Sequence, residues 1–379
     1  MRLLLVSSDF PPEIGGIANH VDNLSENLAL IGHQVEVLVM KAISEKNSQL
    51  HNSVEVRKNV KVHYVGYTVS VFSLIRYRNQ RRKLRQFFKS NGSFEVIHVH
   101  DYRASFKFLS IFRKSTSRLI VTHHSSEFLY NCAKWRQRFF DRFLLRSVDH
   151  MISPSEELRG LSSKVISKPS VYISNGVDLN KFTYVSSREL VDDFVIFVPR
   201  RMQPKNGVHF FVNSLTQLTV PKNGKNILVL ITGDDPAVNI DSDYSNLVKE
   251  KSKTLPSFVS IEFLGNLNSS EMNSYYGKSH LTVIPSLVEA TSLSALEAMA
   301  CGSILLASET GGLTQLISHG KNGFLAKVGD EEDLARNVSE IISNFDGLVD
   351  MRLKARMDVE REYMWGKIAR LTEAVYFSE

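Results

Sequence analysis

The strongest constraint on the fold is an alternation that runs through the chain twice. Short apolar runs rich in Val, Ile and Leu recur, each followed by a stretch of helical period. In the first series Leu3 to Val6, Val35 to Val39, Lys61 to Val65, Glu95 to Val99, Arg118 to Thr122, His150 to Ser153 and Val171 to Ile173 read as strands. Between the first two, Ile17, Val21, Leu24, Leu28 and Ile31 recur at a helix's spacing, and Gly32 stops them. Further helices are expected near 72–90, 104–114, 134–147 and 155–162. Strands that are apolar without alternation are buried on both faces, which is the mark of a parallel sheet with helices on either side. From Asn175 to Asp193 the chain turns polar, and a second series then begins. Its strands are Phe194 to Val198, Ile227 to Thr232, Val259 to Phe263, His280 to Ile284, Ser303 to Ala307 and Gly323 to Leu325. Its helices fall near 206–218, 244–253, 269–277, 292–300, 330–343, 351–360 and 365–377. The prediction is an α/β protein of two doubly wound parallel-sheet domains facing across a cleft, with ligands at the carboxyl ends of the strands.

With 379 residues the chain can fill two such cores. Its two cysteines, Cys132 and Cys301, form no dense framework, which favours a reducing compartment. Leu3 to Val6 is too short for a signal-peptide core, and no run approaches the roughly 20 apolar residues of a membrane span. A cytoplasmic protein is expected. Charge is uneven. Residues 1–190 carry twelve more Lys/Arg than Asp/Glu, and the remainder six fewer, giving the overall +6. Two basic stretches stand out, Phe72 to Lys89 and Trp135 to Arg146, where Arg and Lys interleave with Phe, Leu and Tyr. Each can lie on an anionic membrane or be a surface helix with an apolar inner face. No nucleic-acid motif accompanies them.

The chemistry concentrates in Pro285 to Gly302, PSLVEATSLSALEAMACG. A strand runs into a polar loop carrying Glu289. Thr291 or Ser292 caps a helix that Gly302 ends, and Glu297 lies inside it. A helix N-terminus offers free N–H groups and a positive dipole end to a diphosphate. Glu297 lies about 7–8 Å further along at ~1.5 Å per residue, which is about the reach from diphosphate to ribose diol. Arg200 and Lys205 follow the first strand of the second series, and two cations there suit a diphosphate. Gly15-Gly16, just before the first helix, lets a ligand approach the backbone. His98, His100, His123 and His124 end two strands of the first domain and suit hydrogen bonds to a sugar. Asp9, Asp101 and Glu127 share that rim. Clustered histidines invite a zinc reading, but no His-x-x-x-His or Cys-x-x-Cys spacing exists, so no metal is expected.

These residues together resemble the retaining glycosyltransferases of the family 4 type, with the GT-B fold of two Rossmann-like domains. The carrying motif is Glu289-x7-Glu297. PRRMQPKNG at 199–207, LVLITGDDP at 228–236, NGVDLNKF at 175–182, Gly311-Gly312 through Phe324 and the N-terminal PPEIGGIANHVDNLSENLALIGHQVEVL support it. The resemblance implies a donor site for a nucleotide-diphosphate sugar (UDP- or GDP-linked). Arg200 and Lys205 would take the diphosphate and Glu297 the ribose. Glu289, with Ala290, Thr291, Ser292 and Leu293, would hold the sugar and phosphate. Gly233 lies in the supporting LVLITGDDP stretch and is assigned to the donor site. Gly16 would approach the diphosphate from the first domain, and His124, matching the family's Thr-x-His at Thr122-His123-His124, would meet the sugar. Protein cations would replace a divalent metal, so no cofactor is expected. Domains of 1–182 (acceptor) and 183–363 (nucleotide sugar) follow, with a final helix at about 364–379 packing back on the first.

The implied reaction is sugar transfer, with retention, to a hydroxyl of a glycan or lipid-linked acceptor, in cell-surface polysaccharide or glycolipid synthesis. Peripheral attachment to the inner membrane face fits the basic half. Pro199, Arg201, Asn206 and Gln315 depart from the family pattern. A nucleotide-sugar epimerase on the same fold, or a non-catalytic partner subunit, are the alternatives.

Overall fold

The structure is a computed structural model. It describes residues 1–13, 15–43, 53–68, 73–100, 118–124, 145, 148–165, 170–186, 193–221, 224–233 and 242–378. It divides into two compact units: Met1–Asn175 with Trp365–Glu379, and Gly176–Met364. The boundary read from sequence, 182/183, thus compares with 175/176 in space.

The first unit is built on an eight-stranded sheet. Its strands are β1 (Arg2–Ser7), β2 (Gln34–Ile43), β3 (Val54–Arg57), β4 (Val60–Thr68), β5 (Val96–Val99), β6 (Arg118–Thr122), β7 (His150–Ser153) and β8 (Ser170–Tyr172), in the order β3-β4-β2-β1-β5-β6-β7-β8. All pairs are parallel except β3 with β4. Leu3 to Val6 and Val96 to Val99 are buried throughout, as strands covered on both faces must be. β3 was missed from sequence. Its four residues are all exposed, so its alternation marks no buried face, and it is simply an edge strand. The Gly16–Leu30 helix buries Ala18, Val21, Leu24 and Leu28. The last helix, Trp365–Phe377, belongs to this unit: Arg118 donates to Tyr376 O (3.1 Å), and His33 pairs with Glu373 (2.8 Å).

The Ser73–Asn91 helix buries Leu84 and Phe87 and exposes Arg78, Arg82, Arg85 and Lys89. Its described part is therefore a surface helix with an apolar inner face and a basic outer one. The expected helices at 104–114 and 134–147, the Trp135 to Arg146 stretch, Asp101, Glu127 and Cys132 lie outside the described residues, Leu145 excepted.

The second unit is a six-stranded parallel sheet of β9 (Phe194–Val198), β10 (Ile227–Ile231), β11 (Val259–Phe263), β12 (Leu281–Ile284), β13 (Ile304–Ser308) and β14 (Phe324–Ala326), ordered β11-β10-β9-β12-β13-β14. Side chains alternate across it. Phe194, Ile196, Val198, Val229, Val283 and Leu306 pack into one core. Phe197, Leu230, Ile284, Leu305 and Ala307 pack into another on the opposite face. The helix expected over 206–218 is instead broken into a 3₁₀ turn at Pro204–Asn206, a helix at Val208–Ser214 and a 3₁₀ turn at Leu215–Gln217. Gly207, at φ 66°, makes the first break.

In both sheets the order reverses beside the first strand, between β1 and β5 and between β9 and β12. Such a switch point leaves a crevice beyond the carboxyl ends, where doubly wound sheets bind ligands.

Candidate functional site

In the second unit the loops leaving β9, β10, β12 and β13 lock together through glycines. A Cβ on Gly207 would lie 1.9 Å from Pro285 O, and one on Gly312 2.3 Å from Ala290 O. One on Gly233, at φ 80°, would lie 2.5 Å from Arg201 Cα. Leu287 N donates to Lys205 O (2.9 Å) and Gly312 N to Glu289 O (3.2 Å), so backbone fixes backbone. Gly207→Ala is expected to cost about 2–4 kcal/mol, from backbone strain plus a contact with no room to relax. Gly224 shares the backbone (φ 70°) but has nothing among the described residues within 4 Å of its Cβ, and Gly224→Ala isolates the strain alone. Urea denaturation checks this. Equal losses in the two variants would contradict the interlock.

Arg200 sits where the loops meet. Its Nη2 lies 3.0 Å from Asn206 Oδ1 and 2.7 Å from Ser286 Oγ, and pairs with Glu289 Oε2. Ser286 Oγ is 3.3 Å from the same carboxylate oxygen. Both charged side chains are largely covered, at 12% and 14% exposure, so the pair is desolvated enough to matter. Arg200 Nε is buried without a hydrogen-bond partner among the described residues. A guanidinium held on one edge with an unmet donor is poised for an anion. Lys205 is exposed on the same loop.

Glu289 to Ser292 lead into the Leu293–Cys301 helix, whose N-cap is Ser292, with its Oγ accepting from Ala295 N (3.3 Å). Ala295, Leu296, Ala298, Met299, Ala300 and Cys301 are buried, and Gly302 at φ 73° closes the C-terminus. A Cβ there would meet the Tyr184 ring at 2.4 Å. Glu297 lies on the half-covered side and accepts a hydrogen bond from Tyr276 Oη (2.9 Å). Desolvation raises its carboxyl to about 7, while the Tyr276 bond opposes that shift. Tyr276 itself is fully buried, and its phenol is pushed well up by burial and by the adjacent carboxyl. Among the described residues Glu297 makes no hydrogen bond to Arg200 or Glu289.

In the first unit Gly16 begins the Gly16–Leu30 helix. Nothing described lies within 4 Å of a Cβ on Gly15 or Gly16, and neither has a left-handed φ. Neither local strain nor packing accounts for glycine here. The strand-end histidines gather with one that the sequence reading left out, His20 of this helix. The rings of His20 and His124 are 4.3 Å apart, and His100 Nδ1 is 3.1 Å from His124 Nε2. His98 is spent on Tyr376 Oη and Thr122 Oγ1, both at 2.7 Å. Burial holds His20 near 4 and His123 near 3, and drives His98, His100 and His124 well down, so all five rings are neutral at pH 7.

Site formers absent from the sequence reading are Asn206, Ser286, Tyr276 and His20. In the sequence Asn206 stands only as a departure from the family pattern. It is buried, receives Arg200, and donates Nδ2 to Arg201 O (2.7 Å). The available signal was a polar residue inserted between Lys205 and Gly207. Tyr276 and His20 gave none, because only folding brings them in.

Two doubly wound units with their charged residues at the strand ends define the class: this is a GT-B glycosyltransferase fold. Residues 14–181 match the family model "Glycosyltransferase Family 4", and residues 183–358 match "Glycosyl transferases group 1". The chain is 24% identical over 404 residues to glycogen synthase of Mycobacterium tuberculosis, covering 100% of this chain and 95% of that one. Its structure is similar to sucrose-phosphate synthase from Thermosynechococcus elongatus (TM-score 0.83, 20% identity, 99% and 98% coverage). It is also similar to Anabaena HepE in complex with UDP and glucose (TM-score 0.76, 18% identity, 99% of each chain). The chain belongs to the family 4-type glycosyltransferases, enzymes of class EC 2.4.

Proposed function

We propose that the protein transfers a sugar, with retention of anomeric configuration, from a UDP- or GDP-sugar to a hydroxyl of a glycan or lipid-linked acceptor. The observation that carries this is the meeting of Arg200, Ser286 and Glu289 with the capped N-terminus of the 293–301 helix at the β9/β12 switch point. The HepE complex with UDP and glucose, on the same fold, supports a nucleotide-sugar donor. Arg200 and Lys205 bind the diphosphate together with the amides of Ala290 to Leu293, while Gly233 keeps the floor of the site close. Glu297 accepts from the ribose hydroxyls. Gly16 leaves room for the diphosphate, and Glu289 and His124 hold the transferred sugar.

The acceptor oxygen attacks the anomeric carbon on the face that the phosphate leaves. The bond from that carbon to the phosphate oxygen breaks as the new one forms, and the departing phosphate takes the acceptor's proton. Charge grows on the leaving diphosphate, where Arg200 and Lys205 stabilise it in place of a metal ion. The exposed basic face of the Ser73–Asn91 helix gives a means of working at the anionic inner membrane surface.

The test is a proton NMR time course with UDP- and GDP-sugars, a chelator and acceptors presented free or in anionic vesicles at two salt concentrations. The expected product has the donor's anomeric configuration, and nucleoside diphosphate is released only with an acceptor. An inverted product would contradict retention. An altered sugar formed without acceptor would show an epimerase instead.

A further inference from the structure

His20, His100 and His124 come from three separate elements of the first unit: the first helix, the end of β5 and the end of β6. One ring nitrogen from each lies within 4.8 Å of the others. His20 and His100 are buried, and His124 is half-covered. No spacing along the chain marks this set, because parallel-sheet topology alone makes β1, β5 and β6 neighbours.

Each ring is prepared as a ligand. The Nδ1–H of His20 donates to Asn175 Oδ1 at 2.7 Å, and both side chains are buried. That bond fixes the tautomer and leaves the Nε2 lone pair bare, as an outer partner does for a metal-binding imidazole. His20 is also braced edge-on by the Trp365 ring, 5.2 Å between centroids. His100 Nδ1 and His124 Nε2 stand 3.1 Å apart, close to the roughly 3.3 Å between two nitrogens on a tetrahedral ion with bonds of about 2.0–2.1 Å.

His98, though its ring is 3.9 Å from that of His100, has both nitrogens engaged and serves as a wall.

We propose that His20, His100 and His124 form a binding site for one borderline divalent metal ion of the Zn²⁺ type, held by three imidazoles with a fourth position open. Borderline ions prefer imidazole, whereas Mg²⁺ and Ca²⁺ seek oxygen, and among the described residues no carboxylate joins the set. At its widest the set must close by about 1.5 Å to reach the nitrogen spacing of a tetrahedral ion. Occupation would also engage His124, assigned above to the transferred sugar. Resting on that reading, the ion acts as an inhibitor of transfer and has no part in the reaction.

The test uses the full chain freed of any affinity tag and stripped of metal. Titration with Co²⁺ should give the intense visible bands of a four-coordinate site at one ion per chain, abolished by one equivalent of Zn²⁺. His20→Gln and His100→Gln should each weaken binding at least tenfold. Asn175→Ala should weaken it by about 10–100-fold through its hold on His20. X-ray absorption on the Zn²⁺-loaded wild-type chain should count three imidazoles, a readout that needs no variant to fold. Absent or six-coordinate Co²⁺ bands, unchanged affinity in both histidine variants, or a zinc shell of oxygen or sulfur would overturn the site. Because binding is read without any sugar, it stands apart from transfer. One ion bound at the three histidines with turnover unaffected would leave the site intact and refute the role of His124.

Discussion

Arg200→Ala is expected to lower kcat/KM about 10²–10³-fold, the loss typical of removing one fixed donor from a developing negative charge. Two effects combine in that variant. The guanidinium is lost to the diphosphate, and Glu289, 14% exposed, is left beside Ser286 without its cation. The second effect is a stability cost on the order of 1–3 kcal/mol. The double variant Arg200→Ala/Glu289→Gln separates the two, because a neutral amide needs no counter-charge. It should recover most of the stability and none of the activity. Steady-state kinetics beside urea denaturation read both quantities. Activity returning with stability would mean that Arg200 acts only as a strut for the β12 loop.

Glu297→Gln should weaken donor binding by about 10–100-fold, the value of a hydrogen bond to a charged acceptor. It also carries a pH signature. With its carboxyl raised to about 7, wild-type Glu297 is ionised at pH 8 and mostly protonated at pH 6. Donor affinity of the wild type should therefore fall about tenfold between those values, while that of the glutamine variant stays flat. Stability moves in the opposite sense. A carboxyl whose pKa is higher in the folded state than in the unfolded chain binds more protons when folded. Its contribution to stability is then lost as pH rises from about 4.5 through about 7. Glutamine has no charge to desolvate and still accepts from Tyr276. The melting temperature of Glu297→Gln relative to wild type should climb from pH 5 to pH 8. A constant difference would show that Glu297 is solvated and ionised throughout.

The architecture was legible because both sheets are parallel and buried on two faces. Runs such as Leu3 to Val6 and Phe194 to Val198 need no tertiary partner to be read as strands. β3 was invisible for the converse reason, having no buried face at all. Within the candidate site, the parts carried by local chemistry were also legible. Ser292 caps its helix, Gly302 ends it, and a cation follows β9. What sequence could not show is which groups face one another across strands. Arg200 meets Glu289 only because β9 and β12 are neighbours in the sheet, though 89 residues separate the partners. Tyr276 reaches Glu297 from the preceding helix, and His20 reaches His124 from the far side of β1. The broken 206–218 helix belongs with these. Pro204 and Gly207 signalled a turn, but the contact of Gly207 with Pro285 O that demands it is a matter of packing.

The most direct measurement is a crystal structure of the protein soaked with UDP or GDP, whichever the NMR assay shows to be released. The diphosphate is predicted at the N-terminus of the 293–301 helix, within hydrogen-bonding distance of the Arg200 guanidinium and Lys205 Nζ, with both ribose hydroxyls on Glu297. A nucleotide bound elsewhere, or bound there with Arg200 still closed on Glu289 and the ribose turned away from Glu297, would contradict the account.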